Sequence, residues 1–166
     1  MKIKRFQIYT LLLLALSSRL AAQGASSVEI NVSARIQDYI EMVTLADIDV
    51  GTIVPSEEIL RLDPRTNSGA GIIMIQGQKD KSVLVNYSKV VEMVHSNSNS
   101  VLPVTYEVSG SVENQPSTSV LFTTNPESIE LNEKGEYYLF IGCSFNLNLV
   151  KPGQYDGDFV IEVDYN

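Results

Sequence analysis

The stretch Gly153-Gln-Tyr-Asp-Gly-Asp-Phe-Val-Ile-Glu-Val-Asp-Tyr-Asn166, GQYDGDFVIEVDYN, carries the clearest alternation in the chain. From Gly157 onward Phe159, Ile161, Val163 and Tyr165 take every second position, and Asp158, Val160, Glu162 and Asp164 fill the gaps. Successive side chains of a strand point to opposite faces, so this pattern predicts a half-buried strand with Tyr165 toward the core and Asp158, Glu162 and Asp164 toward solvent. Chain ends are ordinarily the loosest part of a domain. A terminal stretch patterned in this way is expected to be tied into a sheet, with an edge open to a partner.

Immediately upstream, VKPGQ reads as a turn, and before it YLFIGCSFNLNLV places Tyr137, Leu139, Ile141, Cys143, Phe145, Leu147 and Leu149 on one face of a long strand. This is the expected central strand, with the terminal segment paired alongside it. Further back the same period of two recurs in IEL, VLFTT, LPVTYEVSG (Leu102, Val104, Tyr106 and Val108 inward), VLVNYS, AGIIMIQGQ and EEILRL. It appears again in IEMVTLADIDVGTIVP and SVEINVSARI. Clusters of Gly, Pro, Asn, Asp and Ser separate these runs, among them the turn DPRTNSG, with Gly69 suited to a positive φ, and the charged, hairpin-like QKDKS. No segment holds a helical period. Eight to ten short strands without intervening helices predict an all-β, immunoglobulin-like antiparallel β-sandwich from about Val28 to Asn166.

The 166 residues suit one domain with a real core. At the start, Lys2, Lys4 and Arg5 precede an apolar run from Ile8 to Leu16, followed by Ala21 and Ala22. That order reads as a secretory signal peptide over residues 1–22, leaving residues 23–166 as a single domain. The run is shorter than the ~20 residues that span a bilayer, so no membrane insertion is expected once it is removed. With 12 basic against 20 acidic residues the net charge is −8, and loss of the leader's Lys and Arg makes the remainder more acidic. Nucleic-acid binding is disfavoured by that sign.

The chemistry-bearing residues are few. Cys143 is the sole cysteine, which excludes an intramolecular disulfide, and its place in an apolar strand predicts a buried, inert thiol. His95 is the sole histidine and is expected to be solvated beside the polar loop HSNSNS. No nucleophile elbow accompanies it, and one Cys with one His cannot assemble a zinc site. The pairs Asp47/Asp49 and Asp156/Asp158 lack the spacing of a helix-loop-helix calcium loop, and the first is expected to face solvent opposite Ile48 and Val50. Tyr137 and Tyr155 sit among apolar alternations and Tyr138 on the opposite face, as sheet-covering residues. Neither a cofactor, a metal nor an enzymatic activity is expected.

At DIDVGTIVP and again at KPGQYDGDFVIEVDYN the chain resembles an uncharacterised family of secreted bacterial domains. These carry D-x-G-T after an early strand and close on G-x-Y-x-G-x-F-x-V-x-V-x-Y-N. Asp49, Gly51, Thr52 and Pro55 carry the first motif, and Gly153, Tyr155, Gly157, Phe159, Ile161, Val163, Tyr165 and Asn166 the second. That family resembles the spore-coat-protein-U-like subunits and the fimbrial subunits assembled by chaperone and usher. The resemblance implies that the second motif is an assembly strand, gripped by a periplasmic chaperone at its carboxylate and along its alternating apolar residues. Tyr165 is penultimate and Gly153 fourteenth from the end, as in those subunits.

Fimbrial subunits also lack one strand and receive it from the next copy. Val28, Ile30, Val32, Ala34 and Ile36 have the alternation such a donor requires, and equally that of the first strand of a self-complete domain. The absence of a disulfide pair departs from many chaperone-assembled subunits. The resemblance thus implies a non-enzymatic structural subunit of a surface appendage or coat that self-associates by strand addition. Its place would be the periplasm, cell surface or extracellular space of a Gram-negative bacterium. A monomeric secreted module binding a carbohydrate or host ligand is the alternative.

Overall fold

The structure, a computed structural model, describes residues 39–50 and 58–166. Eleven strands occur among them: β1 Glu41–Ala46, β2 Ile59–Leu62, β3 Gly71–Gln76, β4 Ser82–Tyr87, β5 Val90–His95 and β6 Val101–Ser111, then β7 Val120–Leu121, β8 Glu127–Glu130, β9 Glu136–Asn146, β10 Tyr155–Asp156 and β11 Ile161–Tyr165. The larger sheet has the order β1-β3-β9-β6-β5-β10, with β2 also on β9 and β7 on β6. The smaller has the order β11-β4-β8. All pairings are antiparallel. The expected all-β antiparallel sandwich is the observed architecture.

The core follows from alternation on facing strands. Leu139, Ile141 and Cys143 of β9 point inward beside Val104, Tyr106 and Val108 of β6, and Val83, Val85 and Val163 meet them from the smaller sheet. Burying each such aliphatic side chain contributes ~1.5–3 kcal/mol, which is what holds two sheets face to face. β9 is central, as expected: β3 and then β2 share one of its edges, and β6 takes the other.

Several expectations are corrected. β9 stops at Asn146, whose side chain accepts a hydrogen bond from the Asn148 amide and turns residues 147–149 into a 3-10 turn. The strand therefore ends before Leu147 and Leu149. The terminal strand is not beside β9; β11 pairs with β4 in the opposite sheet. Strands that face each other across a core bury the same alternate positions as strands that lie side by side, so alternation assigns a face and not a sheet. QKDKS likewise joins strands of different sheets, β3 and β4, through Asp80 at φ 57°.

β5 went unmarked by alternation because it is apolar on both sides: Val91 is buried and Met93 packs on the core, while Val90 and Val94 are exposed. Gly69 does not have the positive φ expected of it. Its carbonyl instead accepts from the Asp49 amide at 2.9 Å, and a Cβ there would strike the Asp49 carbonyl. Close approach, rather than backbone freedom, demands glycine at this turn. Among the described residues no helix is long and apolar enough to cross a membrane.

Candidate functional site

The second motif is divided between the two sheets. Tyr155 opens the two-residue β10 and pairs with His95 at the edge of the larger sheet. Gly157 then passes close over Val91 and Met93, where a side chain would crowd both. Phe159 packs 4.4 Å from Tyr106 and 6.4 Å from Tyr87, centre to centre. Only Ile161, Val163 and Tyr165 belong to β11, opposite Tyr87, Val85 and Val83, and the Asn166 amide donates to the Ser82 carbonyl. The alternation read as one strand is thus a short edge strand, a crossing over the core, and a second strand.

The crossing is anchored by His95, which is buried at 8% exposure and not solvated as expected. The Asn97 amide donates to its Nδ1 at 3.0 Å, so Nε2 carries the proton and donates to the Pro152 carbonyl at 3.2 Å. The ring also meets Tyr155 edge-on at 5.0 Å. Gly153 lies directly on that ring at φ 150°; a Cβ would run into Nε2. This is the reason for glycine at the first position of the motif. Outside the ring, the Ser96 amide donates to the Gln154 carbonyl, and the Gln154 amide and Ser96 hydroxyl hold the Asp156 carboxyl below its usual range. Replacing His95 by Ala is expected to lower stability by about 1–2 kcal/mol. It should raise amide exchange at Ser96 and Asn97 while leaving the β4-bonded amides of Glu162 and Asp164 slow, a split readable by NMR hydrogen exchange.

β11 has one neighbour among the described strands. Asn166 and Ser82, and Val160 and Ser88, are hydrogen-bonded pairs, so the even-numbered residues of β11 bond to β4. By the alternation of an antiparallel ladder, the backbone groups of Ile161, Val163 and Tyr165 are directed to the other edge. At the end of the ladder the Tyr165 side chain reaches out of the sheet: its phenol accepts from the Gln78 amide at 2.9 Å and donates to the Tyr39 carbonyl at 3.0 Å. The open edge therefore begins where the chain enters β1.

β1 is the outermost strand of the larger sheet and has no described partner but β3. Met42 faces Ile75 and Thr44 faces Ile73 in the register, and directly opposed residues share a face, so both lie on the core side. Yet Met42 is 42% exposed, whereas Ile75 is fully buried. Between Thr44 and Ala46 a bulge shifts the register by one residue. Among the described residues, no strand lies over Met42 and Thr44 on this side of the sandwich. Met42 was not singled out in the sequence, although Ile40, Met42, Thr44 and Ala46 do alternate there.

The remaining candidates are less informative. The donor-strand residues Val28, Ile30, Val32, Ala34 and Ile36 lie outside the described residues, as do Gly51, Thr52 and Pro55 of the first motif. Asp47 and Asp49 are exposed, and no group of three or more His, Cys, Asp or Glu suited to a metal occurs among the described residues. Cys143 is buried, and burial pushes its thiol above the ordinary range, which suppresses the thiolate. No family model and no curated protein matches the chain.

Proposed function

We propose that the chain is an exported, non-enzymatic structural subunit of a bacterial surface appendage or coat, assembled by addition of a strand from another copy. The incoming strand is the segment 28–36, and the acceptor is the open edge of β11 with the core-side face of β1. The supporting observation is that β11 directs the backbone groups of Ile161, Val163 and Tyr165 away from its single partner, beside a core-side Met42 that is 42% exposed. An added strand gains main-chain hydrogen bonds from such an edge and side-chain contacts from such a face. Before assembly, a periplasmic chaperone would cover the same edge, and an usher would present it.

Cross-linking tests the reading. Two single-cysteine proteins, Met42→Cys and Val32→Cys, each also carrying Cys143→Ser, are mixed and oxidised, with Val120→Cys on the exposed β7 as the control for Met42→Cys. A mixed dimer that forms with Met42→Cys and not with the control is the expected result. A disulfide that closes only within a chain carrying both substitutions, in a protein that sediments as a monomer, would overturn it and favour the self-complete, surface-binding module.

A further inference from the structure

The strands of the larger sheet overrun the smaller one. β6 and β9 each run eleven residues, ~36 Å at roughly 3.3 Å per residue, whereas β4 and β11 run six and five. Beyond the reach of the smaller sheet, the inner face of the larger one is left with Leu102 and Val104 from β6, Phe145 from β9 and Met93 from β5. These residues line a cavity of about 370 Å³. Tyr106, stacked on Phe159, marks where the packed core stops and the cavity starts.

Protein interiors hold few voids larger than a water molecule. An apolar cavity of about 150 Å³ already suffices to bind benzene, so this space is large enough for a ligand on the order of a dozen heavy atoms at ~30 Å³ each. Its lining is mostly aliphatic and aromatic, with the sulfurs of Met93 and Cys143 and the phenols of Tyr106 and Tyr155, and holds no Lys, Arg or His among the described residues. A buried carboxylate would find no counter-charge there, which is costly. One polar group stands out. Tyr106 is 7% exposed, and its phenol makes no hydrogen bond with any described residue.

We propose that this cavity is a binding site for a neutral, medium-chain aliphatic molecule of the size of 1-decanol. The chain lies against Met93, Leu102, Val104 and Phe145, and the hydroxyl bonds to Tyr106. The site is separate from the open edge of β11, so it stands or falls independently of strand addition.

The test uses the full chain with 1-decanol and decanoate as probes, each displacing a fluorescent apolar dye at pH 7. Decanol is expected to displace the dye at least tenfold more effectively than decanoate. In the methyl NMR spectrum it should shift Met93 and leave Met74, on the outer face of β3, in place. Tyr106→Phe should weaken decanol five- to tenfold, and Val104→Phe, which fills the space, should abolish displacement without lowering the melting temperature. The proposal is overturned if decanol moves neither dye nor Met93 up to its solubility limit, if decanoate binds as well, or if Val104→Phe folds and still binds. Should Val104→Phe fail to fold, the wild-type Met93 shift and the alcohol-to-carboxylate ratio decide alone.

Discussion

Tyr165→Ala is expected to destabilise the fold by about 3 kcal/mol, and Tyr165→Phe by about 1 kcal/mol. The ring is a partly buried member of the core, and its phenol reaches across from the smaller sheet to the Gln78 amide and the Tyr39 carbonyl. Alanine removes both the packing and the two hydrogen bonds; phenylalanine removes the bonds alone. Urea denaturation of the three proteins separates the contributions. A Phe variant as unstable as the Ala variant would mean that the phenol, and not the ring, ties β11 to the entrance of β1. The result also bears on the proposed assembly: deleting Tyr165 and Asn166 removes a cross-sheet tie as well as the end of the proposed acceptor edge. Export and surface levels are therefore best compared with those of Tyr165→Phe, which keeps most of the stability.

Gly142→Ala is expected to cost about 3 kcal/mol or more, lowering the melting temperature by roughly 10 °C. Gly142 lies inside β9, and the chain leaving β2 is laid directly on it. A Cβ would strike the Leu62 carbonyl and come within 2.6 Å of the Pro64 ring and 2.7 Å of its nitrogen. The obstructing atoms are backbone and a rigid ring, which cannot rotate aside. Nor can the turn retreat easily: the Asp63 carboxylate accepts from the Arg65 amide at 2.8 Å, and the Asp63 carbonyl from the Asn67 amide at 3.1 Å. Differential scanning calorimetry of Gly142→Ala measures the effect, and a melting temperature within 2 °C or so of the parent would refute the close-approach argument.

The faces of β11 and of most of β6 were legible in the sequence because each has one wet and one dry side, and period two then reports burial directly, whereas β9 is dry on both sides from Leu139 to Cys143. Partnership was not legible. Val163 looks the same whether its strand lies beside Cys143 or across the core from it, and it is β4 that it joins. The second motif read as one strand because Tyr155, Phe159 and Val163 keep the same phase, although the chain changes sheets between them. His95 misled for a different reason: its polar neighbours are the loop, while the partners that bury it, Gly153 and Tyr155, come from the far side of β9 in sequence. Gly142 did carry a signal, since a glycine within an apolar strand marks the close passage of another segment. Met42 carried one too, but whether a core-side residue is exposed depends on what packs over it and cannot be written in its own strand.

The pairing of β11 with β4 has a consequence in time. Asn86 and Glu162, hydrogen-bonded across that ladder, are 76 residues apart in the chain. During synthesis, β4 and every strand of the larger sheet emerge before β11 exists. Until it arrives, Val83 and Val85 have a flank with nothing to lean on, and the half-built core stays wet along one side. Pairings of such long sequence separation are slow to form and leave sticky intermediates behind them. A chain built in this order is at its most vulnerable to wrong partners just before β11 emerges, which is the interval in which a protein that holds the unfinished side would matter most.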